Sequence, residues 1–127
     1  MKNIYASGEE YLKWILKIQN KIGKVRSIDL AEYMGFSRPS ICKAVKRLEE
    51  NEYIIKDKEG YLCFTEKGQA IAEQFYERHQ FLTEFLLDIG VEKEIAVADA
   101  CKMEHAISEE TFTKLKEKFG YLLNREA

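Results

Sequence analysis

The sequence predicts a mainly α fold, and three observations predict it. Apolar residues recur at helical spacing over most of the chain. The period breaks between Glu52 and Phe64, where two short runs rich in apolar residues flank a charged turn containing Gly60. From Thr65 the helical period returns in three further segments, separated near Gly90 and at Ser108.

Each element has its own signal. Ser7-x-x-Glu10 is a capping box that opens the first helix. Tyr11, Leu12, Ile15, Leu16 and Ile18 follow at helical spacing, and Gly23 stops the run. Ser27 is expected to cap a short second helix, with Asp29 in its first turn and Ile28, Leu30, Ala31 and Met34 as its apolar side. Gly35-Phe36-Ser37 is a tight break. A third helix runs from about Arg38 to Asn51, with Ser37 as its cap and Pro39 in a first turn that needs no amide hydrogen there. Ile41, Ala44, Val45 and Leu48 form its apolar stripe. Glu52–Lys56 and Tyr61–Phe64 read as a hairpin. A long helix covers about Glu66 to Leu87, another about Glu92 to Ala106, and a last one, capped by Ser108, ends near Phe119.

Composition narrows the class. With 127 residues, 46% of them hydrophobic, the chain is one domain or two small subdomains sharing a helix. No window reaches ~18 apolar residues, so no membrane span is expected. Residues 1–10 lack the apolar core of a signal peptide. Cys42, Cys63 and Cys101 are odd in number and far apart, which argues for a reducing, cytoplasmic setting. The net charge of −2 divides unevenly: residues 1–78 carry 14 Lys/Arg and 12 Asp/Glu, the rest 6 and 10. From Ser37 to Leu48 there are Arg38, Lys43, Lys46 and Arg47 and no acid. Taken alone, that stripe suits a solvated helix face as well as a phosphate contact.

The order of elements weighs towards the contact. Helix, short helix, three-residue turn around Gly35, helix and hairpin is a winged helix-turn-helix. An α-helix fits the DNA major groove, and the first turn of the second helix of the pair meets base edges. Here that turn is Ser37, Arg38, Pro39 and Ser40, with Lys43 one turn on and Lys46 and Arg47 continuing the stripe. Lys56 and Lys58 on the hairpin are placed to meet the DNA backbone or minor groove.

A second constellation is sparser. The two histidines are His79 and His105. Cys101, Glu104 and His105 stand at i, i+3 and i+4, so thiol, carboxylate and imidazole share one helix face within reach of a single ion. Such donors suit Fe²⁺, Zn²⁺, Co²⁺ or Ni²⁺ and accept Mn²⁺, the thiolate favouring iron over manganese. Each residue also has a plain reading: Glu10 in its capping box, His79 in a core, Cys101 as a small apolar residue.

These residues resemble the diphtheria toxin repressor family of metal-dependent transcriptional regulators, and within it the short manganese transport regulators that lack an SH3-like domain. The resemblance covers about residues 5–120. It is carried by Gly8-Glu9-Glu10-Tyr11-Leu12, Ile28-Asp29-Leu30-Ala31-Glu32, Ser37-Arg38-Pro39-Ser40, Leu62-Cys63-Phe64-Thr65-Glu66-Lys67-Gly68, Arg78-His79 and, most specifically, Asp99-Ala100-Cys101-Lys102-Met103-Glu104-His105. It implies a winged-helix DNA-binding domain over residues 1–70 and a helical dimerisation and metal-binding domain over 71–127. It also implies a homodimer that reads a palindromic operator in double-stranded DNA. Glu10, His79, Cys101, Glu104 and His105 fall at ligand positions, and the implied role is a repressor of metal-uptake genes with a divalent metal as corepressor.

The chain also departs from the family. Lys13 stands where the manganese branch has a ligating carboxylate, and its ammonium is expected to repel a cation or pair with Glu10. Thr83 stands where a ligating glutamate is usual, and Val97 where the iron-responsive branch has a histidine. One ion at most is therefore expected. The alternative is a winged-helix regulator that binds DNA and has lost metal responsiveness. An enzyme is not expected: there is no Gly-rich phosphate loop, no Ser-His-Asp order and no His-Glu-x-x-His.

Overall fold

The structure is a computed structural model that describes residues 8–124. The chain divides into two compact units at Gln74. The elements are α1 (Gly8–Ile22), α2 (Ser27–Met34), α3 (Arg38–Glu50), β1 (Ile54–Lys56), β2 (Leu62–Phe64), α4 (Glu66–Asp88), α5 (Lys93–Ala106), α6 (Glu109–Phe119) and a closing 3₁₀ turn (Gly120–Asn124). The mainly α class with one small hairpin is as the sequence predicts.

The first unit packs α1, α2 and α3 around Leu12, Ile15, Ile18, Leu30, Ile41, Val45 and Leu48, all buried. Each such side chain contributes roughly 1.5–3 kcal/mol by leaving water. The turn between α2 and α3 depends on Gly35, whose φ of 72° lies in the left-handed region. Its amide and that of Phe36 both reach the Ala31 carbonyl, at 2.9 and 3.1 Å, and close the helix end. Any residue with a Cβ is strained there by about 1–2 kcal/mol.

Ser37 caps α3 as expected, its hydroxyl accepting from the Ser40 amide. Ser27 does not cap α2. It is the first helical residue, and Arg26 holds the cap position in extended backbone. Asp29 is the reason: its carboxylate accepts from the Arg26 amide at 2.9 Å and fixes the turn one residue earlier. The expected capping box at Ser7 lies outside the described residues.

The antiparallel hairpin pairs Ile54 with Phe64, Ile55 with Cys63 and Lys56 with Leu62. It is tied to the helices by the Leu62 amide, which donates to the Val25 carbonyl at 2.7 Å. Its turn is held by Asp57, whose Oδ1 accepts from the amides of Glu59 and Tyr61. Thr65 then starts α4: its Oγ1 accepts from the Gly68 amide at 3.1 Å and donates to the Glu52 carbonyl at 2.7 Å.

In the second unit Phe81, Leu82 and Leu86 of α4 pack with Ala96 and Ala100 of α5 and Phe112 of α6. The Phe81 and Phe112 rings meet edge-on at 5.6 Å, and Phe85 lies against Phe119 at 5.3 Å. Ala96 and Ala100, one turn apart on α5, are both fully buried in this cluster. The apolar residues from Phe81 to Val91 divide between core and surface. Phe81 and Leu86 are buried, Phe85, Leu87 and Val91 pack partly buried against them, and Ile89 is exposed. The final 3₁₀ turn, which buries Leu122, has no signal in the sequence.

Gly68 gives a sharp test of the hairpin–helix junction. A Cβ at this position falls 1.9 Å from the Tyr53 carbonyl oxygen, which is backbone and not free to rotate away. Gly68→Ala is expected to destabilise the protein by about 1–3 kcal/mol or more, read as a lower denaturant midpoint at unchanged slope.

Candidate nucleic-acid interface and candidate metal centre

In the first unit α3 buries one face and exposes the other. Ile41, Ala44, Val45 and Leu48 point into the core, while Lys43 and Lys46 stand on the opposite, exposed face with Pro39. Arg38 and Ser40 are also exposed at its N-terminus. The hydroxyls of Ser37 and Ser40 lie 3.0 Å apart, so the first turn is ordered by its own side chains. Arg47 is exposed but set to one side. It lines a pocket of about 270 Å³ with Gly8, Glu9, Leu12 and Asn51. Its guanidinium also acts on the Tyr11 phenol, opposing the rise that burial imposes on that group.

Lys56 and Lys58 are exposed on the hairpin, as expected. The structure adds two cations that sequence reasoning missed. Arg26 sits 4.2 Å and Lys24 5.1 Å from the Tyr61 ring, and Arg26 Nε donates to the Glu59 carbonyl at 3.1 Å. The hairpin turn therefore carries a basic group from the loop before α2. The two segments are 33 residues apart, so no local pattern signals it.

In the second unit the helices bring four of the predicted donors together. His79 of α4 and His105 of α5 converge on the carboxylate of Glu104, also of α5. Glu104 is fully buried, with Oε1 2.8 Å from His79 Nδ1 and Oε2 3.2 Å from His105 Nε2. Cys101 is one turn back on α5, and its Sγ and a Glu104 oxygen lie within 4.8 Å of one another. The His105 ring stacks on Phe75 at 5.1 Å. Arg78, buried beside His79, holds the same place from the backbone side. Its Nη1 donates to the carbonyls of Glu104 (2.9 Å) and Ile107 (3.2 Å), and its Nη2 pairs with Glu109 at 2.7 Å. Its position next to His79 is the one sequence cue to this role.

Glu10 belongs to the first unit. Its carboxylate meets Lys13 Nζ at 3.1 Å through Oε1 and the Trp14 indole N–H at 2.9 Å through Oε2. Of the two outcomes expected for Lys13, pairing with Glu10 is the one observed. The Thr83 hydroxyl is buried without a hydrogen-bond partner among the described residues, and Val97 is exposed.

A winged helix with an exposed basic α3 is followed by a helical unit with a buried His-Glu-His cluster, and the class is that of repressors with a DNA-binding domain and a metal-binding and dimerisation domain. Residues 3–62 match the family described as "Iron dependent repressor, N-terminal DNA binding domain", and residues 65–125 match "Iron dependent repressor, metal binding and dimerisation domain". The transcriptional regulator MntR of Escherichia coli O157:H7 is 37% identical over 103 residues, which are 81% of this chain and 66% of that protein. The MntR of Bacillus subtilis is 31% identical over 121 residues, 95% of this chain and 85% of that one. The structure of the manganese regulator SloR is similar with a TM-score of 0.81 at 28% identity, covering 91% of this chain and 54% of that one. The chain thus spans just under two thirds of the E. coli relative and about half of SloR. It belongs to the iron-dependent repressor family, the diphtheria toxin repressor family that its motifs resemble.

The residues present fit a divalent ion. Thiol, carboxylate and two imidazoles are a borderline-soft donor set, and Glu104 is already oriented by both imidazoles. Arg78 does not compete for that carboxylate, since its contacts are to main-chain oxygens and Glu109. Arg78→Met strands those carbonyls. It is expected to reduce the stability of the protein by about 1.5–3 kcal/mol in urea unfolding.

Proposed function

We propose that the chain is a metal-dependent DNA-binding transcriptional regulator, a homodimeric repressor of metal-uptake genes with a divalent metal as corepressor. The observation that carries it is the Glu104 carboxylate, buried between His79 and His105 in a chain whose other unit is a basic winged helix. Residues 1–70 are the DNA-binding part and residues 71–127 the dimerisation and metal-binding part. The protein acts by binding, without catalysis.

On this reading α3 enters the major groove of a palindromic operator. Arg38 and Lys43 meet bases or phosphates, and Ser37, Pro39 and Ser40 set the first turn against the backbone. Lys46, Arg47, Lys56 and Lys58 neutralise phosphates, joined by Arg26 and Lys24. A dimer presents two such helices, whose spacing must match about 34–36 Å, one turn of DNA, or a multiple of it. His79, Cys101, Glu104 and His105 hold the ion, and the family resemblance adds Glu10. Fe²⁺ and Mn²⁺ are the proposed ions, the relatives' names favouring manganese and the Cys101 thiolate favouring iron; Zn²⁺, Co²⁺ and Ni²⁺ are also within the reach of these donors. When bound, the ion supplies a fixed positive charge that favours the DNA-competent arrangement.

A second reading keeps DNA binding and gives up metal control. The Lys13–Glu10 pair favours it, because an ammonium already answers that carboxylate.

Two measurements separate these readings. In anaerobic thermal melts, Mn²⁺ or Fe²⁺ at a hundred times its dissociation constant stabilises the folded state by about 2.7 kcal/mol, and His105→Ala abolishes the gain. No gain with any ion leaves the second reading. In binding to promoter DNA at several salt concentrations, Lys43→Ala weakens affinity and lowers the log–log salt slope by about one. An affinity indifferent to salt rules out both readings.

A further inference from the structure

We propose that Phe75 is a positioning residue for His105: its ring fixes the tilt of the imidazole and so sets how tightly the site holds an ion. This rests on the metal-binding reading of His79, Cys101, Glu104 and His105, and goes beyond it to a side chain that is itself no ligand.

Phe75 stands one turn before His79 on α4. At i and i+4 the two side chains share a face of that helix. The face meets α5 twice. His79 Nδ1 lies 2.8 Å from Glu104 Oε1, and the Phe75 ring stacks on the His105 imidazole, with centroids 5.1 Å apart and planes 26° from parallel. Glu104 Oε2 lies 3.2 Å from His105 Nε2. That contact places one atom of the imidazole, and the flat face of Phe75 sets the plane of the ring. An imidazole coordinates through a lone pair in its own plane, so the groups that orient the ring decide where an ion is met.

Phe75 is itself pinned. The Arg78 guanidinium lies 5.2 Å from its ring and 5.3 Å from that of Phe112. Arg78 is buried, and the carbonyls of Glu104 and Ile107 and the Glu109 carboxylate fix it. Flat groups thus run from Phe112 of α6 through Arg78 and Phe75 of α4 to His105 of α5. An aliphatic side chain would cover the half-buried position 75 as well; what it lacks is the flat face.

The test uses the full chain. Wild type and Phe75→Leu are titrated anaerobically with Co²⁺, followed by its visible absorption, and with Mn²⁺, followed by the electron paramagnetic resonance of the free ion. Phe75→Leu is expected to bind about tenfold more weakly, and Phe75→Tyr, which keeps the flat face, to stay within about twofold of wild type. A second readout needs no metal. The chain has two histidines, whose ring-proton signals are assigned by nuclear magnetic resonance through His105→Ala. The ring current of Phe75 displaces the His105 signals, so Phe75→Leu is expected to move them well beyond those of His79.

Unchanged affinity in Phe75→Leu, a Phe75→Tyr as weak as Phe75→Leu, or His105 signals that do not move apart from those of His79 overturns the inference. Uptake of neither ion by wild type overturns the metal-binding reading itself, and the role of Phe75 falls with it. Phe75→Met, flexible and without a flat face, guards against a Phe75→Leu chain that fails to fold and is expected to show the same weakening.

Discussion

One buried carboxylate organises the second unit. Burying an ion without a partner costs several kcal/mol, so Glu104 can sit at zero exposure only if its neighbours answer it. His79 and His105 do so through separate oxygens. Arg78 then takes the main-chain oxygen of the same residue and reaches on to Glu109 at the start of α6. Side chain and backbone of a single position thus tie three helices together. α5 needs this, because its core contribution is small: Ala96 and Ala100 bury little apolar area compared with the phenylalanines that face them.

The first unit treats its charges in the opposite way. Its core is aliphatic, and its cations are pushed outward on α3 and the hairpin. Exposed charges of that kind add little to stability, typically under about 1 kcal/mol each. They are therefore available to a polyanion at little cost to the fold, and their attraction to it must weaken as salt rises. The exception among the described residues is the Lys13–Glu10 pair, which keeps opposite charges inside.

What could be read from the sequence follows the range of the interactions. The Gly35 turn, the Ser37 cap, the hairpin and the long helix from Glu66 were all legible, because each is written within a few residues. The Ser27 cap was misread for a local reason: Asp29 competes for the same helix start and its carboxylate wins. The spacing of Cys101, Glu104 and His105 placed three donors on one face. That His79 would reach Glu104 from 25 residues away was legible only through the family resemblance, since packing of α4 on α5 is what brings them together. Arg78 offered only its place beside His79, and the Arg26–Tyr61 pair offered nothing, their partners lying 26 to 35 residues away. The fate of Lys13 was legible only as a choice between repelling a cation and pairing with Glu10.

The contacts between His79, Glu104 and His105 bear on how tightly these groups would hold an ion. The groups proposed to hold an ion already satisfy one another: each Glu104 oxygen has an imidazole, and His105 is stacked on Phe75. Those bonds must be given up when donors turn to a metal, and imidazole and thiol must be free of protons on the atoms that coordinate. The net affinity is the coordination energy less that of the contacts these donors make with one another. A pre-satisfied site is weaker than its donors alone would be, and it is also better ordered, because the side chains are already in place. For a sensor both consequences are useful. An ion shifts an equilibrium only over the range of concentrations near its dissociation constant. A site that is full at all metal levels regulates nothing. On the proposed reading, the contacts around Glu104 set the response threshold together with the identity of the ligands.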